Sequence, residues 1–361
     1  AGLGPVGLMT LLGLGIAWNA ILLSACAVTR VPFTMLAGAT LPLNAGLWVF
    51  ALFRVHRHRA ATGAGVGPDS APEVLSGSAR MLTLAAAALA AVWVLRLGAP
   101  LLYISDSPDH IATIRRMIEH RELFPSDAFF RDAGAAGVDP RKFLWHGDVA
   151  LIALLAHVSP LAAWRNLPVV LAPLLILNAA ALGMLLAGSA GAALTAWILL
   201  LTYGGSLATS ALRETVYAAK LADQLALAAS VAVLADLARP VRRTRLAACA
   251  LAAAAASVHV FAAFQFTLAF GALAVGLWMR DRRWSESLRR LAGTVFAAGI
   301  AVAPFVLWQV LRTPRPMNPI HTEPQGLLWL WDGVRVVSPG VVWEWFGAAW
   351  WIVPLLVVAL W

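Results

Sequence analysis

Two aspartates three residues apart, Asp106 and Asp109, are the side chains of this sequence best suited to acid–base chemistry. They occur in the run Tyr103-Ile-Ser-Asp-Ser-Pro-Asp-His, directly after an apolar segment. A carboxylate can deprotonate an acceptor hydroxyl, and two carboxylates can share a hard divalent cation such as Mg²⁺ or Mn²⁺. We therefore take Asp106 as the candidate general base and Asp109 as the group that orients an acceptor or joins Asp106 as a metal ligand.

Both aspartates also have a purely structural interpretation. Pro108 favours the start of a helix, at which Asp106 or Asp109 would act as the N-cap. The pattern after Pro108 predicts an amphipathic helix that lies on the membrane surface. The apolar residues that recur in it at helical spacing are Ile111, Ile114 and Ile118.

Other polar side chains of this loop and of later segments could complete a site. A departing phosphate needs cations that hold it and neutralise its charge. The candidate phosphate ligands are Arg115, Arg116, Arg213, Lys220 and His259, and the candidates for contacts with an acceptor in the cavity are His110, Trp145, His146 and Glu214. The structural alternatives are lipid-headgroup anchors for Arg115 and Arg116, an ion pair that caps a helix for Arg213 and Glu214, and a turn residue for His259.

The composition restricts the class of protein. Of 361 residues 61% are hydrophobic and only 12% are charged, and apolar runs long enough to cross a bilayer recur along the chain. The net charge of +9 arises from short basic clusters between these runs, which is the pattern of cytoplasmic loops and does not indicate nucleic-acid binding. The two cysteines, Cys26 and Cys249, lie in separate apolar runs and predict neither a disulfide nor a metal site. The sequence thus predicts an all-α polytopic membrane protein.

The apolar runs and basic clusters divide the chain into five regions. Basic residues cluster directly before the linker, between Arg54 and Arg59, which places it on the cytoplasmic side, so the next span delivers the Asp106 loop to the extracytoplasmic side. The predicted regions are an N-terminal transmembrane hairpin (1–60), a cytoplasmic linker (61–80), a transmembrane core (81–312) with an extracytoplasmic loop (100–148), a second extracytoplasmic loop (313–340) and the start of a further transmembrane helix (341–361). The sequence stops inside an apolar run, and we expect the chain to be incomplete.

Topological parity then assigns the segments between the Asp106 loop and the basic cluster at Arg239. The run 148–158 is too short to span and is predicted to be an interfacial or re-entrant helix. Runs 166–187, 190–208 and 218–238 are predicted to cross, with the turn Gly188-Ser-Ala-Gly191 inside. The chain should turn again near Ser257-Val-His259. The prediction is about ten transmembrane helices, with one or two juxtamembrane helices in the first large outer loop.

The order of these features resembles the first outer loop of GT-C membrane glycosyltransferases. In the oligosaccharyltransferase branch that loop starts Asp-x-x-x-Asn, where this chain has Asp106-Ser-Pro-Asp-His110; in the mannosyltransferase branch a Pro-Asp-Glu occurs, where this chain has Pro-Asp-His. Trp145-His-Gly-Asp148 and the short helix after it are similar to the start of that family's second juxtamembrane helix. The resemblance covers roughly residues 80–300. The chain departs from the family in its two extra preceding spans, in its Asp-x-x-Asp spacing, and in lacking a C-terminal acceptor-binding domain.

The resemblance implies an inverting transferase that moves a sugar from a polyprenyl-phosphate donor to a glycan, lipid or protein acceptor. The implied location is a bacterial cytoplasmic (inner) membrane, with the active site facing the periplasm or exterior and with membrane lipids or further membrane subunits as partners. The rival interpretations are a non-catalytic multi-span subunit of a larger membrane complex and a transporter. Spans almost free of charge argue against a transporter, which places charged groups near the midplane.

Overall fold

The structure of this chain is a computed structural model that describes residues 5–40, 42–43, 46, 49, 75–100, 107–123, 144–204, 212–238, 241–259, 270, 279, 291–301 and 303. Within these ranges all regular structure is helical and no strand occurs, as the sequence predicts. Nine helices are labelled here in chain order: α1 (Pro5–Thr29), α2 (Gly77–Leu97), α3 (Ser107–His120), α4 (Leu144–Leu155), α5 (Pro160–Asn166), α6 (Pro168–Gly204), α7 (Ala218–Ala238), α8 (Arg242–Val258) and α9 (Leu291–Ala301). A 3-10 turn, Glu214–Val216, precedes α7.

Four helical segments of the described part are long and apolar enough to cross a membrane. They are Met9–Ala27, Gly77–Leu97, Pro160–Leu201 and Ala218–Leu237. They agree with a helical membrane protein and coincide with five of the predicted apolar runs, because Pro160–Leu201 covers both 166–187 and 190–208. The count of about ten spans stays a prediction, because the remaining predicted spans fall partly or wholly outside the described residues. The regions 61–74, 101–106 and 304–361, with their predicted linker and loop residues, also lie outside them.

Helix α6 reverses its direction at Ala187 and Gly188. Ala187 leaves the helical conformation (φ −142°, ψ 24°), and Gly188 has a φ of +64°, which glycine adopts without strain. The two arms then pack so closely that a methyl group on Gly183 would overlap Gly191 and Thr195. The two predicted helices and the turn between them are confirmed, with the reversal one residue earlier than expected.

The two arms of α6 and helix α2 define the two ends of the bundle. At one end the Ser76 N–H, just before α2, donates to Ser189 Oγ at 3.0 Å. At the other end the Ala99 N–H, just after α2, donates to the Arg165 carbonyl at 3.0 Å. We call the end that contains Ala99 the site end and the end that contains Ser189 the far end. Between them α2 packs on α6 mainly through small side chains, including Ala86 and Ala90, which allow close approach.

Helices α7 and α8 form a second antiparallel pair. With 21 residues α7 covers about 31 Å, from Tyr217 at the site end to Asp236 near the far end. Helix α8 returns along it, and its first turn is fixed by a contact of 3.1 Å between Arg245 Nε and Asp236 Oδ2. Helix α8 ends at Val258, and His259 has an extended backbone, so the helix ends where the turn was predicted. The return helix of that predicted hairpin lies largely outside the described residues. Helix α1 packs against both members of the pair.

The juxtamembrane helices differ from the predicted ones in two ways. Helix α3 forms where it was expected, but its buried face is centred on His110, Ile114 and Met117, while Ile111 and Ile118 are only partly buried. All three predicted isoleucines therefore pack on the core, but the buried face is rotated toward His110 and Met117. Helix α4 begins four residues earlier than predicted, and its first eight residues are all buried. A helix buried on every side favours the re-entrant alternative over an interfacial one.

Candidate functional site

The start of α3 is fixed by a fully buried hydroxyl, Ser107. Its Oγ accepts a hydrogen bond from Trp164 Nε1 at 3.0 Å and shares a second one with Tyr217 OH at 2.7 Å. Trp164 belongs to α5 and Tyr217 immediately precedes α7. The residue directly after Asp106 is thus tied to two other elements of the bundle, and the first turn of α3, which contains Asp109, is held in one place.

Two histidines connect α3 to α4. His110 Nδ1 and His146 Nε2 are 2.7 Å apart, and their rings are nearly parallel, with centroids 4.9 Å apart. One ring donates a proton in this bond and the other accepts it, so the accepting nitrogen must be unprotonated. Both side chains are buried. The bond therefore links the turn that holds Asp109 to the N-terminal part of α4.

Aromatic rings enclose this histidine pair. The Trp164 ring stacks on His110 at a centroid distance of 4.9 Å, and the Tyr217 ring meets His110 edge-on at 5.1 Å. Trp164 and Tyr217 also contact each other edge-on at 5.5 Å. We call this group the aromatic cluster; it consists of Ser107, His110, His146, Trp164 and Tyr217. It joins four chain segments through hydrogen bonds and ring contacts, without an ion pair among its members.

The elements around this cluster are joined by side chains that bind backbone carbonyls. Trp145 Nε1 donates to the Val216 carbonyl at 2.7 Å, which attaches α4 to the 3-10 turn. Arg213 Nε donates to the Gly98 carbonyl at 2.7 Å, and its Nη2 reaches the carbonyls of Leu97 and Ala99 at 3.4 Å. A cation at this position satisfies carbonyls that the end of a helix leaves without partners. The Arg213 guanidinium therefore caps α2.

A buried carboxyl, Asp148, lies behind the aromatic cluster in the second turn of α4. Its side chain faces α1, where Asn19 approaches it and where Leu23 lies over the neighbouring Gly147. Asn19 precedes Thr29, the last residue of α1, by ten residues, or about 15 Å of helix. Asp148 thus lies beside the middle of an apolar helix. This position weakens the argument against a transporter that rested on spans almost free of charge.

The environment of Asp148 disfavours its ionised form. The residue is 4% exposed, and within the described part of the chain neither carboxylate oxygen has a hydrogen-bond partner at ordinary geometry. Burial raises the pKa of Asp148 to about 8, and the Asn19 side chain, which is near but not well aligned, offsets only part of that rise. At neutral pH the carboxyl is therefore mainly protonated.

The predicted catalytic and phosphate-binding residues have different outcomes. Asp106 lies outside the described residues, and Asp109 is half-buried in the first turn of α3. Arg115 is exposed and forms an ion pair with Glu119 at 2.7 Å, and Arg213 caps α2, so both agree with structural interpretations. Arg116 is half-buried on α3, Lys220 is exposed in the first turn of α7, and His259 is half-buried after the end of α8.

The predicted acceptor residues also differ from expectation. His110, Trp145 and His146 are brought together at the site end, but all three are buried in packing contacts. Glu214 is half-buried in the 3-10 turn. Sequence reasoning missed Ser107, Trp164, Tyr217 and Asp148. Two sequence signals pointed to them: Ser107 is adjacent to Asp106, and Asp148 is an ionisable residue at the start of an apolar run.

The metal prediction depends on Asp106 and stays a prediction. Among the described residues there is no group of three or more His, Cys, Asp or Glu side chains that could hold a metal ion. Asp109 alone offers one carboxylate, so no step below is routed through a cation. In comparisons with protein-family models, with curated proteins and with solved structures, this chain has no match.

Proposed function

We propose that this protein is a membrane glycosyltransferase of the GT-C kind that moves a sugar from a polyprenyl-phosphate donor to an acceptor at the site end of the bundle. Asp106 is its general base, and Asp109 orients the acceptor. The proposal includes about ten transmembrane helices, a bacterial inner membrane and a site end that faces the exterior. A lipid donor would enter laterally between helices, and a glycan, lipid or protein acceptor would approach from the aqueous side.

One observation carries this proposal: the start of α3 is rigidly held. The buried Ser107 makes hydrogen bonds to Trp164 and Tyr217, and His110 is bonded to His146 one turn further on. A general base must be kept within hydrogen-bonding reach of the proton that it removes, and positioning of this kind needs rigid support. In this chain the residues directly after Asp106 have such support.

The chemistry assigned to the site is a single displacement. Asp106 removes the proton of the acceptor hydroxyl, the acceptor oxygen bonds to the anomeric carbon, and the bond from that carbon to the phosphate oxygen breaks with its electron pair leaving on the phosphate. Among the candidate cations, the exposed Lys220 is favoured as a phosphate ligand. Arg213 is engaged by the carbonyls that end α2 and Arg115 by Glu119, so both are the weaker candidates.

The test is transfer of a labelled sugar from a panel of polyprenyl-phosphate sugars in membranes that contain the full chain. We expect Asp106→Asn to abolish transfer, since loss of a general base typically costs 10²- to 10⁴-fold, and Asp109→Asn to reduce it. Glu122→Gln is the matched control, because Glu122 is an exposed carboxylate in the same segment. It should retain wild-type transfer.

Two outcomes of this assay contradict the proposal. Equal transfer by the wild type and Asp106→Asn would remove Asp106 from the mechanism. No transfer from any donor by folded protein would favour the non-catalytic subunit. Retained transfer in the wild type and in the control, with loss in the two aspartate variants, supports both the activity and the assignment.

A second candidate function, proton-coupled transport, is supported by Asp148. An ionisable side chain beside the middle of an apolar helix commonly marks an ion or proton pathway. The discriminating measurement is acidification of vesicles that contain the purified chain and an internal pH-sensitive dye, with an imposed pH gradient. Proton flux that is lost in Asp148→Asn favours transport, and absence of flux alongside sugar transfer favours the enzyme.

A further inference from the structure

Asp148 has the surroundings of a group that binds a proton. Its carboxyl is enclosed between α4 and α1, both of its oxygens are inaccessible to solvent, and the polar group that approaches it is the amide of Asn19. Leu23, one turn further along α1, and Leu123 cover the neighbouring Gly147, since a methyl group there would lie 3.1 Å from Leu23 Cδ1 and 2.8 Å from Leu123 Cδ2. The Asn19 amide offsets only part of the effect of burial, and a buried carboxylate with so few donors is strongly disfavoured.

No charged side chain of the described elements compensates Asp148. Helix α4 packs against α1, α3, α5 and α8. Helix α1 has no charged residue, and its one titratable side chain, Cys26, is a buried free thiol. The titratable groups of the other elements are His110, Asp109, Arg115, Arg116, Glu119 and His120 on α3, Arg165 on α5, Arg242, Arg243, Arg245 and Cys249 on α8 with His259 after it, and His146 on α4 itself.

These groups are engaged elsewhere or contribute no shift to Asp148. His110 and His146 bind each other, Arg165 is exposed, and the arginines of α8 lie at the far end. Among the described residues, the causes that act on the Asp148 titration are its burial and the Asn19 amide. Because water and counter-charges are excluded from the described surroundings of Asp148, its neutral, proton-bound form is favoured over the ionised carboxylate.

We propose that Asp148 is a proton-binding site and that release of its proton separates α4 from α1 at Asn19. In the bound state the carboxyl O–H is intact and the neutral acid stays packed between α4 and α1, beside the Asn19 amide. On release the O–H bond breaks, its electron pair stays on the carboxylate, and the proton passes to water. The ionised carboxylate then requires hydration, which the packed α1–α4 contact does not provide. The inference is independent of whether the chain transfers sugars.

The test is infrared titration of the full chain in detergent micelles, following the C=O stretching band of a protonated carboxylic acid. We expect a band at pH 7 that disappears as the pH rises through about 8 and that is missing in Asp148→Asn. Asp236→Asn is the matched control: Asp236 is equally buried but bonds to Arg245 and to the Val241 N–H. This control should leave the band unchanged.

A second variant keeps the proposal testable if Asp148→Asn does not fold. Asn19→Leu retains the carboxyl and removes the amide that partly favours its ionised form, so the transition should move to higher pH. A band that persists in Asp148→Asn, or a transition that Asn19→Leu leaves in place, would overturn the proposal. Loss of the band on addition of NaCl at constant pH would also overturn it, because the ligand would then be a metal cation.

Discussion

Two buried aspartates at different positions in the bundle are satisfied in different ways. Asp236, near the far end, is 3% exposed, accepts a hydrogen bond from the Val241 N–H at 3.0 Å and pairs with Arg245 at 3.1 Å. Asp148, behind the aromatic cluster, is 4% exposed and has only the poorly aligned Asn19 amide nearby. Similar burial is therefore compensated by a counter-charge and a backbone N–H at Asp236, and is left largely uncompensated at Asp148.

The difference extends to the contacts around each aspartate. The far end joins α7 to α8 by an ion pair, whereas the site end joins α3, α4, α5 and α7 by neutral hydrogen bonds and stacked rings. Neutral contacts are insensitive to salt, while a half-exposed ion pair is screened by it. A protein built this way can respond to pH at its site end and keep its far end unchanged.

The largest effect is expected at the far end. Arg245→Ala leaves Asp236 buried without its counter-charge, and we expect a loss of about 2 to 3 kcal/mol in the free energy of unfolding. Breaking a fully buried pair costs about 3 to 5 kcal/mol. The loss should be smaller here because the Arg245 side chain is 47% exposed. Denaturant unfolding in detergent micelles measures it. The control, Arg242→Ala, removes the same charge from an exposed position in the same turn of α8. Equal losses of stability in Arg245→Ala and Arg242→Ala would show that the ion pair with Asp236 does not stabilise the fold.

At the site end, Ser107→Ala should cost about 2 kcal/mol, because it leaves Trp164 Nε1 and Tyr217 OH without their buried partner. The same unfolding measurement applies, with Ser257→Ala for comparison. Ser257 is also buried, but its hydroxyl bonds only to the Ala254 carbonyl of its own helix. If the two serine variants lose the same stability, Ser107 does not join separate elements.

Asp148→Asn should stabilise the protein by about 1 to 2 kcal/mol at pH 5, roughly one unit above the ordinary pKa, since it removes an acid that burial keeps protonated and retains its shape. The folded pKa is raised from 3.8 to about 8, so the folded state binds more protons than the unfolded state in that window. Wild-type stability therefore falls as the pH rises from about 4 to 8 and levels off above it.

The pH profile of unfolding is the readout for this variant. The Asp148→Asn curve should lack that fall, so its advantage grows with pH up to about 8. Asp236→Asn should show no such gain. An advantage of Asp148→Asn that is the same at pH 4 and pH 8 would mean that the carboxyl has an ordinary titration.

The smallest effect is expected for Arg115→Ala. Arg115 and Glu119 form the site end's own ion pair, but their side chains are 72% and 50% exposed. Exposed pairs of this kind contribute little, because water and salt screen them. We expect no measurable change in unfolding in either low or high salt. A clear loss at low salt would show that charge also stabilises the site end.

The sequence was sufficient for the features that depend on local patterns. Apolar runs predicted α1, α2 and α7, the glycines of the 188–191 segment predicted the reversal of α6, and Pro108 predicted the start of α3. Each of these depends on hydrophobicity over one window or on backbone preferences of a few residues. Such signals do not require knowledge of what packs against the segment.

The features that the sequence did not predict all depend on distant partners. The buried face of α3 is set by rings 36, 54 and 107 residues further along the chain, on His146, Trp164 and Tyr217. Ser107 and Asp148 are short polar side chains whose burial is visible only once α5 and α1 are in place. For Asp106 the structure adds nothing beyond its neighbour, so its role rests on the proposed experiment.

The cap that Arg213 places on α2 has a consequence for how the chain is made. Gly98 and Arg213 are 115 residues apart, so at ordinary translation rates of about 5 to 20 residues per second the end of α2 waits roughly 6 to 23 seconds for its partner. During that time the carbonyls of Leu97, Gly98 and Ala99 must accept hydrogen bonds from water at the membrane surface. The cap on α2 therefore forms well after α2 itself has been synthesised.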